Sequence, residues 1–300
     1  MRLLVLGGTT FAGRAVVEAA VARGWAVTTF NRGRGAWTHP EVERIVGDRL
    51  DPTTFAPLAR GTWDAVVDTW QGAPAATEAI AAVLAGRVER YAYVSSCSVY
   101  APPPRPGADE HAPLVDGAGD GYGDLKRGSE IAVEAAFGAD RALLLRLGLL
   151  LGPHEDVGRL PYWLTRLAAG GDVIAPGPPD LPLQLVDARD LAAFALDGIA
   201  AGLSGPYNVV SRRGHATMRT LLERARDVTG GGARLVWTPP EEVEGEPWNE
   251  VPIWLPPDHE SAALHDIGVE KAHAAGLTTR PVAETVADTW AWLSAAGSPS

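Results

Sequence analysis

Four side chains in this chain stand at spacings that suit proton transfer. Ser95 and Ser96 close an apolar run, and Tyr122 and Lys126, four residues apart, share one face of a helix. A phenol has an ordinary pKa of about 10 and is a poor base at neutral pH, but a nearby ammonium stabilises the phenolate. In this reading Lys126 supplies the ammonium and lowers the tyrosine pKa. Ser96 hydrogen-bonds a carbonyl or alcohol, Tyr122 gives or takes its proton, and a nicotinamide moves the hydride. A Tyr-x-x-x-Lys pair also arises by chance, and serines end many strands, so the order of the surrounding elements carries the weight.

Those elements begin at the first residue. Leu3 to Leu6 is an apolar run suited to a buried strand, Gly7 and Gly8 allow a tight turn, and Gly13 opens a run with helical spacing. Strand, turn and helix make a cradle in which free N–H groups and the positive helix end face one point, a place for a pyrophosphate. Gly7, Thr9, Thr10, Phe11 and Gly13 are its candidate cofactor residues. Thr10 holds the place of the usual middle glycine, where it either donates a hydroxyl or weakens binding. A second strand at Trp25 to Phe30 ends in Asn31, Arg32, Gly33 and Arg34. With no carboxylate and two arginines there, NADP is preferred over NAD, because a guanidinium matches a 2′-phosphate. Glu43 to Val46 predicts a third strand, after which Asp48 is either an acceptor for the adenine amino group or a turn aspartate bonding its own backbone. Trp63 to Asp68, a helix from Pro74 to Leu84, and Arg90 to Ser95 continue the alternation. The expected fold is α/β: a Rossmann-type doubly wound parallel sheet with a smaller C-terminal α/β substrate lobe. Residues 1–150 and 184–204 are expected in the dinucleotide-binding domain, and 151–183 and 205–300 in the lobe.

Composition narrows the classes. The 300 residues are 46% hydrophobic with a formal charge of -11, enough for a sizeable core and unfavourable for nucleic acid as the main partner. The single cysteine, Cys97, rules out an internal disulfide framework and leaves no cysteine cluster for zinc, so a reducing cytoplasm fits. No signal-peptide plan or bilayer-length apolar run is expected to direct the chain to a membrane. No metal site is expected either: His265-Asp266 resembles part of a metal phosphohydrolase signature, but the further spaced histidines are missing.

With these residues in place, the sequence resembles the NAD-dependent epimerase/dehydratase family, the extended short-chain dehydrogenases. The landmarks are the Gly7-Gly-Thr-Thr-Phe-Ala-Gly13 turn, Val94 to Tyr100, Tyr122 to Lys126, Leu145 to Pro153 and Gln184 to Leu191. The turn is that of a less typical branch, reading Gly-Gly-Thr-x-Phe-x-Gly, which includes members of unassigned activity. The resemblance implies that Ser96 is the catalytic serine, Tyr122 the base and Lys126 its helper. Sugar dehydratases of the family carry an Asp-Glu pair just after that serine. Here the pair is Cys97-Ser98, which argues against elimination of water. The implied activity is NAD(P)-dependent oxidoreduction at a secondary alcohol or ketone of a small carbonyl, alcohol or sugar-like molecule. The rivals are a nucleotide-sugar epimerase, which oxidises and re-reduces one carbon, and a non-catalytic NADP-binding regulatory protein. RNA binding, seen in some relatives of that branch, is disfavoured by the acidic charge. Oligomeric state stays open, a homodimer being suggested by fold analogy.

Residues 101–121 are rich in proline, glycine and acid, suited to a mobile loop before the Tyr122 helix. Beyond Leu151 the elements shorten, with strands expected at Val173 to Ala175, Leu183 to Val186 and Tyr207 to Val210. The resembled family folds this part over the nicotinamide, and Arg146, His154, Tyr162, Trp163, Gln184 and Arg189 are the candidate substrate contacts. Trp237, Trp248, Trp254, Trp290 and Trp292 gather late in the chain, more in keeping with lobe packing than with an aromatic pocket. A docked surface helix is expected at Pro281 to Leu293.

Overall fold

A computed structural model describes residues 1–35 and 37–295, so residues 296–300 of the expected lobe lie outside the described residues. The chain opens β1 (Arg2–Leu6), α1 (Phe11–Ala22), β2 (Ala26–Asn31), β3 (Glu43–Val46), α2 (Ala56–Arg60), β4 (Trp63–Asp68), α3 (Pro74–Leu84) and β5 (Val88–Ser96). It continues through α4 (Tyr122–Phe137), β6 (Ala142–Leu147), β7 (Leu149–Leu151), α5 (Arg159–Ala168), β8 (Gly171–Pro176), β9 (Pro182–Leu183), β10 (Leu185–Asp187) and α6 (Ala188–Ala201). The last elements are β11 (Gly205–Val209), β12 (Ala216–Thr217), α7 (Met218–Val228), β13 (Ala233–Thr238), α8 (Glu270–Ala274) and α9 (Val282–Ala295).

Seven strands form one parallel sheet in the order β11-β6-β5-β4-β1-β2-β3. Its inner strands β1 and β6 read as largely apolar runs because both faces are covered. Leu3 and Val5 face Val16, Val17 and Ala20 of α1 and Leu191 and Phe194 of α6. Leu4 and Leu6 face the opposite layer, with Ile80 and Leu84 of α3 and Val133 and Phe137 of α4. This is the Rossmann-type doubly wound fold. The strand order reverses beside β1, so the carboxyl edge opens a crevice between the β1 and β4 ends, where ligands bind in such sheets.

One expected boundary moves. Gly205–Val209, expected in the lobe, is the edge strand of the central sheet, paired in register with Leu143–Leu147. Tyr207, Asn208 and Val209 are buried there, and α8 packs beside the strand. The lobe has its own core, in which Leu160, Trp163 and Leu164 of α5 meet Leu221 and Leu222 of α7, Val286 of α9 and Trp254. Around it lie the parallel pair β8 and β13 and the antiparallel pair β9 and β12. The 101–121 segment, expected to be mobile, is anchored by bridges from Tyr100 to Leu114 and from Ala108 to Ile267. The Glu110 carboxylate also accepts the Asn208 backbone N–H at 2.7 Å.

Candidate active site

The glycine turn is shaped by what it excludes. Gly7 and Gly8 have φ of +112° and +86°, and a Cβ on Gly13 would lie 2.8 Å from the Gly8 nitrogen. Only glycine lets α1 approach the turn this closely. Two cavities flank it. A smaller one, about 200 Å³, is bordered by Gly7, Thr9, Asn31, Arg32, Arg34 and Asp48, and a larger one, about 500 Å³, by Thr10, Phe11, Gly13, Ser96, Tyr122 and Lys126. Thr69 borders both, so the two cavities adjoin at this side chain, one on each side of the turn, and are together called the trough. Every candidate cofactor residue therefore lies on this trough, as do Ser96, Tyr122 and Lys126.

The trough suits a dinucleotide on physical grounds. The turn presents bare backbone beside the N-terminus of a twelve-residue helix. Asn31 donates to the Gly7 carbonyl at 3.3 Å and accepts from the Gly33 N–H at 3.0 Å, which fixes the end of β2. Arg32 and Arg34 are exposed and make no hydrogen bond or ion pair among the described residues. Arg44, not anticipated from sequence, packs its guanidinium over Gly33 and adds a third cation. Asp48 accepts the Leu50 N–H at 3.0 Å, the turn role, while still bordering the cavity. The Ser95 hydroxyl is buried, has no partner, and borders the larger cavity. An unpartnered buried hydroxyl is costly until something supplies a partner.

Ser96, at the end of β5, accepts the Ser98 N–H at 3.1 Å and lies 3.1 Å from the Ser98 hydroxyl. Tyr122 opens α4, and Gly123 beside it lets the helix close on the Ser98 carbonyl, where a Cβ would collide. Lys126 is buried, and its Nζ donates to the Trp70 carbonyl at 2.6 Å and the Val94 carbonyl at 2.7 Å. Burial lowers its pKa to about 7, against Asp68 and Glu130, which raise it. The expected depression of the Tyr122 pKa is not found. Partial burial raises it, and the Ser96 hydroxyl and the Arg159 charge oppose that rise only in part. The reason is geometric: Lys126 Nζ is drawn to main-chain carbonyls and sits 5.9 Å from the Tyr122 ring centre.

None of the candidate substrate contacts borders the larger cavity. Arg146 is 2% exposed and pairs through two nitrogens with Glu130, at 3.0 Å each, with the Tyr100 hydroxyl beside it. Gln184 is fully buried and joins the Ser211 and Ile267 backbones. Arg189 is held by Asp187 and Asp288, Tyr162 packs on Trp163, and His154 packs on Trp292. Trp163 is buried in the lobe core, its indole N–H donating to the Pro252 carbonyl. Residues that do border the cavity include Ser98, Gln71, Asp156, Arg159, Trp248, Asn249 and His265. Trp248 was visible in the tryptophan-rich segment, and Ser98 and His265 in motifs read otherwise; nothing local marks Arg159. Packing accounts for Trp254, whose indole N–H donates to Gly177, and for Trp290 and Trp292. His265 is buried, donates from Nε2 to the Ile253 carbonyl and accepts the Gln184 N–H on Nδ1, so it is a satisfied neutral imidazole. No cluster of metal-ligating side chains occurs among the described residues, and none of their helices is long and apolar enough to cross a membrane.

Comparison with known proteins bears on this trough. A structure from Burkholderia cenocepacia J2315, described provisionally as an epimerase, shares 23% identity over 98% of each chain with a TM-score of 0.78. UDP-glucose 4-epimerase from Thermotoga maritima, solved with UDP-glucose, shares 16% over 99% of each chain with a TM-score of 0.74. The UDP-glucose 4-epimerase of Thermus thermophilus, solved with NAD, shares 20% over the whole of both chains with a TM-score of 0.71. At such identities the likeness is one of fold. No curated protein sequence matches the chain. The model of the NAD dependent epimerase/dehydratase family matches residues 3–209, from β1 through β11, the span that builds the sheet and carries the glycine turn, Ser96, Tyr122 and Lys126. The chain thus belongs to the NAD dependent epimerase/dehydratase family.

Proposed function

We propose that this protein is an NAD(P)-dependent oxidoreductase acting at a secondary alcohol or ketone, with NADP preferred. The observation that carries the reading is that Thr10, Phe11 and Gly13 of the glycine turn border the same cavity as Ser96, Tyr122 and Lys126, with a second cavity adjoining it at Thr69. A bound nicotinamide dinucleotide supplies or accepts the hydride. Gly7, Thr9, Thr10, Phe11 and Gly13 would receive the diphosphate, Asn31 and Asp48 the adenosine end, and Arg32 and Arg34 a 2′-phosphate. Ser96 polarises the substrate oxygen and Tyr122 transfers its proton. Lys126, on the same cavity, would hold the nicotinamide ribose by donating from Nζ. A reducing, cytoplasmic setting fits the lone cysteine, and a homodimer remains the assembly suggested by analogy.

The test is Tyr122→Phe, assayed by NADPH and NADH consumption across a panel of ketones. Loss of a positioned proton donor lowers kcat by roughly 10²- to 10⁴-fold while dinucleotide binding is retained. Full turnover in the variant would overturn the assignment. Nucleotide-sugar epimerisation is the second reading, supported by the UDP-glucose 4-epimerases that share the fold. In that case cofactor is retained and not consumed, and UDP-glucose is interconverted with its C4 epimer.

A further inference from the structure

Resting on that reading, we propose that the substrate is a small monoanion whose single carboxylate is seated on Arg159 against Trp248, and that it is not a nucleoside diphosphate derivative. Arg159 opens α5 on the wall of the larger cavity. Its backbone N–H is taken by Glu155 at 2.6 Å, but its guanidinium makes no hydrogen bond or ion pair among the described residues. What holds it is the Trp248 ring, 5.0 Å from the guanidinium carbon to the ring centre. Trp248 itself is held in left-handed backbone, φ +68°, with its N–H facing the Val251 and Trp254 carbonyls at 3.2 and 3.1 Å. A guanidinium held over an aromatic ring with no hydrogen-bond partner has N–H groups to offer a planar, two-oxygen acceptor. Asn249 stands at the same rim with an amide to add.

Charge decides between one anionic group and two. The cations bordering the larger cavity are Arg159 and Lys126, and the Lys126 Nζ already donates to the Trp70 and Val94 carbonyls. Asp156 shares the rim with Arg159, with no ion pair between them among the described residues. A diphosphate would bring a second charge that meets Asp156 and no second guanidinium; a monocarboxylate meets Arg159 alone. The cavity of about 500 Å³ must also take the nicotinamide end of the cofactor, which leaves room for a small molecule.

The experiment is calorimetric titration of the full chain, with and without NADP⁺, using benzoate, its neutral counterpart methyl benzoate, phenyl phosphate and UDP-glucose as probes. Benzoate should bind saturably, and Arg159→Met should weaken it roughly ten- to hundredfold, the loss of a charge-assisted hydrogen-bonded pair. Arg159→Lys should recover part of the loss, and methyl benzoate should bind both proteins alike. Unchanged NADP⁺ affinity in Arg159→Met would show the variant folded. Equal benzoate affinity in wild type and Arg159→Met, absence of saturable benzoate binding, or tighter binding of phenyl phosphate or UDP-glucose than benzoate would each overturn the proposal. Arg159-dependent benzoate binding in a protein that binds no dinucleotide would sink the oxidoreductase reading and leave the anion site standing.

Discussion

Replacing Lys126 with methionine separates two forces that act on one nitrogen. The side chain is 1% exposed, and burial brings its pKa from 10.5 to about 7. In the unfolded chain the amine keeps its ordinary pKa, so between pH 7 and 10.5 the unfolded state binds the extra proton and stability rises with pH. Each pH unit in that window is worth about 1.4 kcal/mol, and the whole window roughly 5 kcal/mol. Below pH 7 both states are charged and the full penalty is present. Methionine, one atom shorter, removes the charge and abolishes this dependence. It also withdraws the donor to the Val94 carbonyl, while the Trp70 carbonyl keeps the Tyr93 hydroxyl at 3.0 Å. That loss costs about 1–3 kcal/mol and does not vary with pH. Urea unfolding of both proteins, followed by tryptophan fluorescence at pH 7, 8, 9 and 10, reads the difference directly, because other titrating groups cancel. The wild-type stability should climb relative to the variant by about 1.4 kcal/mol per pH unit. Parallel curves would refute the reasoning, since they would mean that the two carbonyls hold Nζ as an ammonium throughout.

Arg146→Met should cost about 3–5 kcal/mol by leaving the fully buried Glu130 carboxylate short of its bidentate partner. Because Arg146 does not touch the cavity, KM measured at a temperature where the variant is folded should stay near wild type; a changed KM with unchanged stability would reverse this assignment. Gly13→Ala should lower dinucleotide affinity at least about tenfold in calorimetry, since the new Cβ presses on the Gly8 backbone and must displace α1 or the turn. Wild-type affinity there would show that the turn is not the diphosphate site. Arg32→Ala combined with Arg34→Ala should weaken NADPH by roughly ten- to hundredfold and leave NADH unchanged; equal losses for both cofactors would remove these residues from 2′-phosphate recognition.

What the sequence determined by itself is what local spacing and steric demand can fix. The ranges Glu43–Val46, Trp63–Asp68 and Pro74–Leu84 coincide with β3, β4 and α3, because apolar runs and helical spacing are properties of neighbours along the chain. The glycine turn was legible for the same reason: φ above zero and a helix pressed against backbone leave one residue type that fits. Tyr122 and Lys126 could be placed on one helix from their separation alone, but not the direction in which Nζ turns. Arginine, glutamine and histidine from residue 146 onward looked like substrate ligands because a polar side chain shows no evident partner in sequence. The fold supplies those partners from far away: Glu130 for Arg146, Asp288 for Arg189, Ile267 for Gln184. In the same way β11 joined the central sheet because an exposed sheet edge was waiting for it, which no local pattern records. Whether a charge is spent on a buried partner, as in Arg146, or left free on a cavity wall, as in Arg159, depends on what chain topology brings within a few ångströms, and only the tertiary structure decides that.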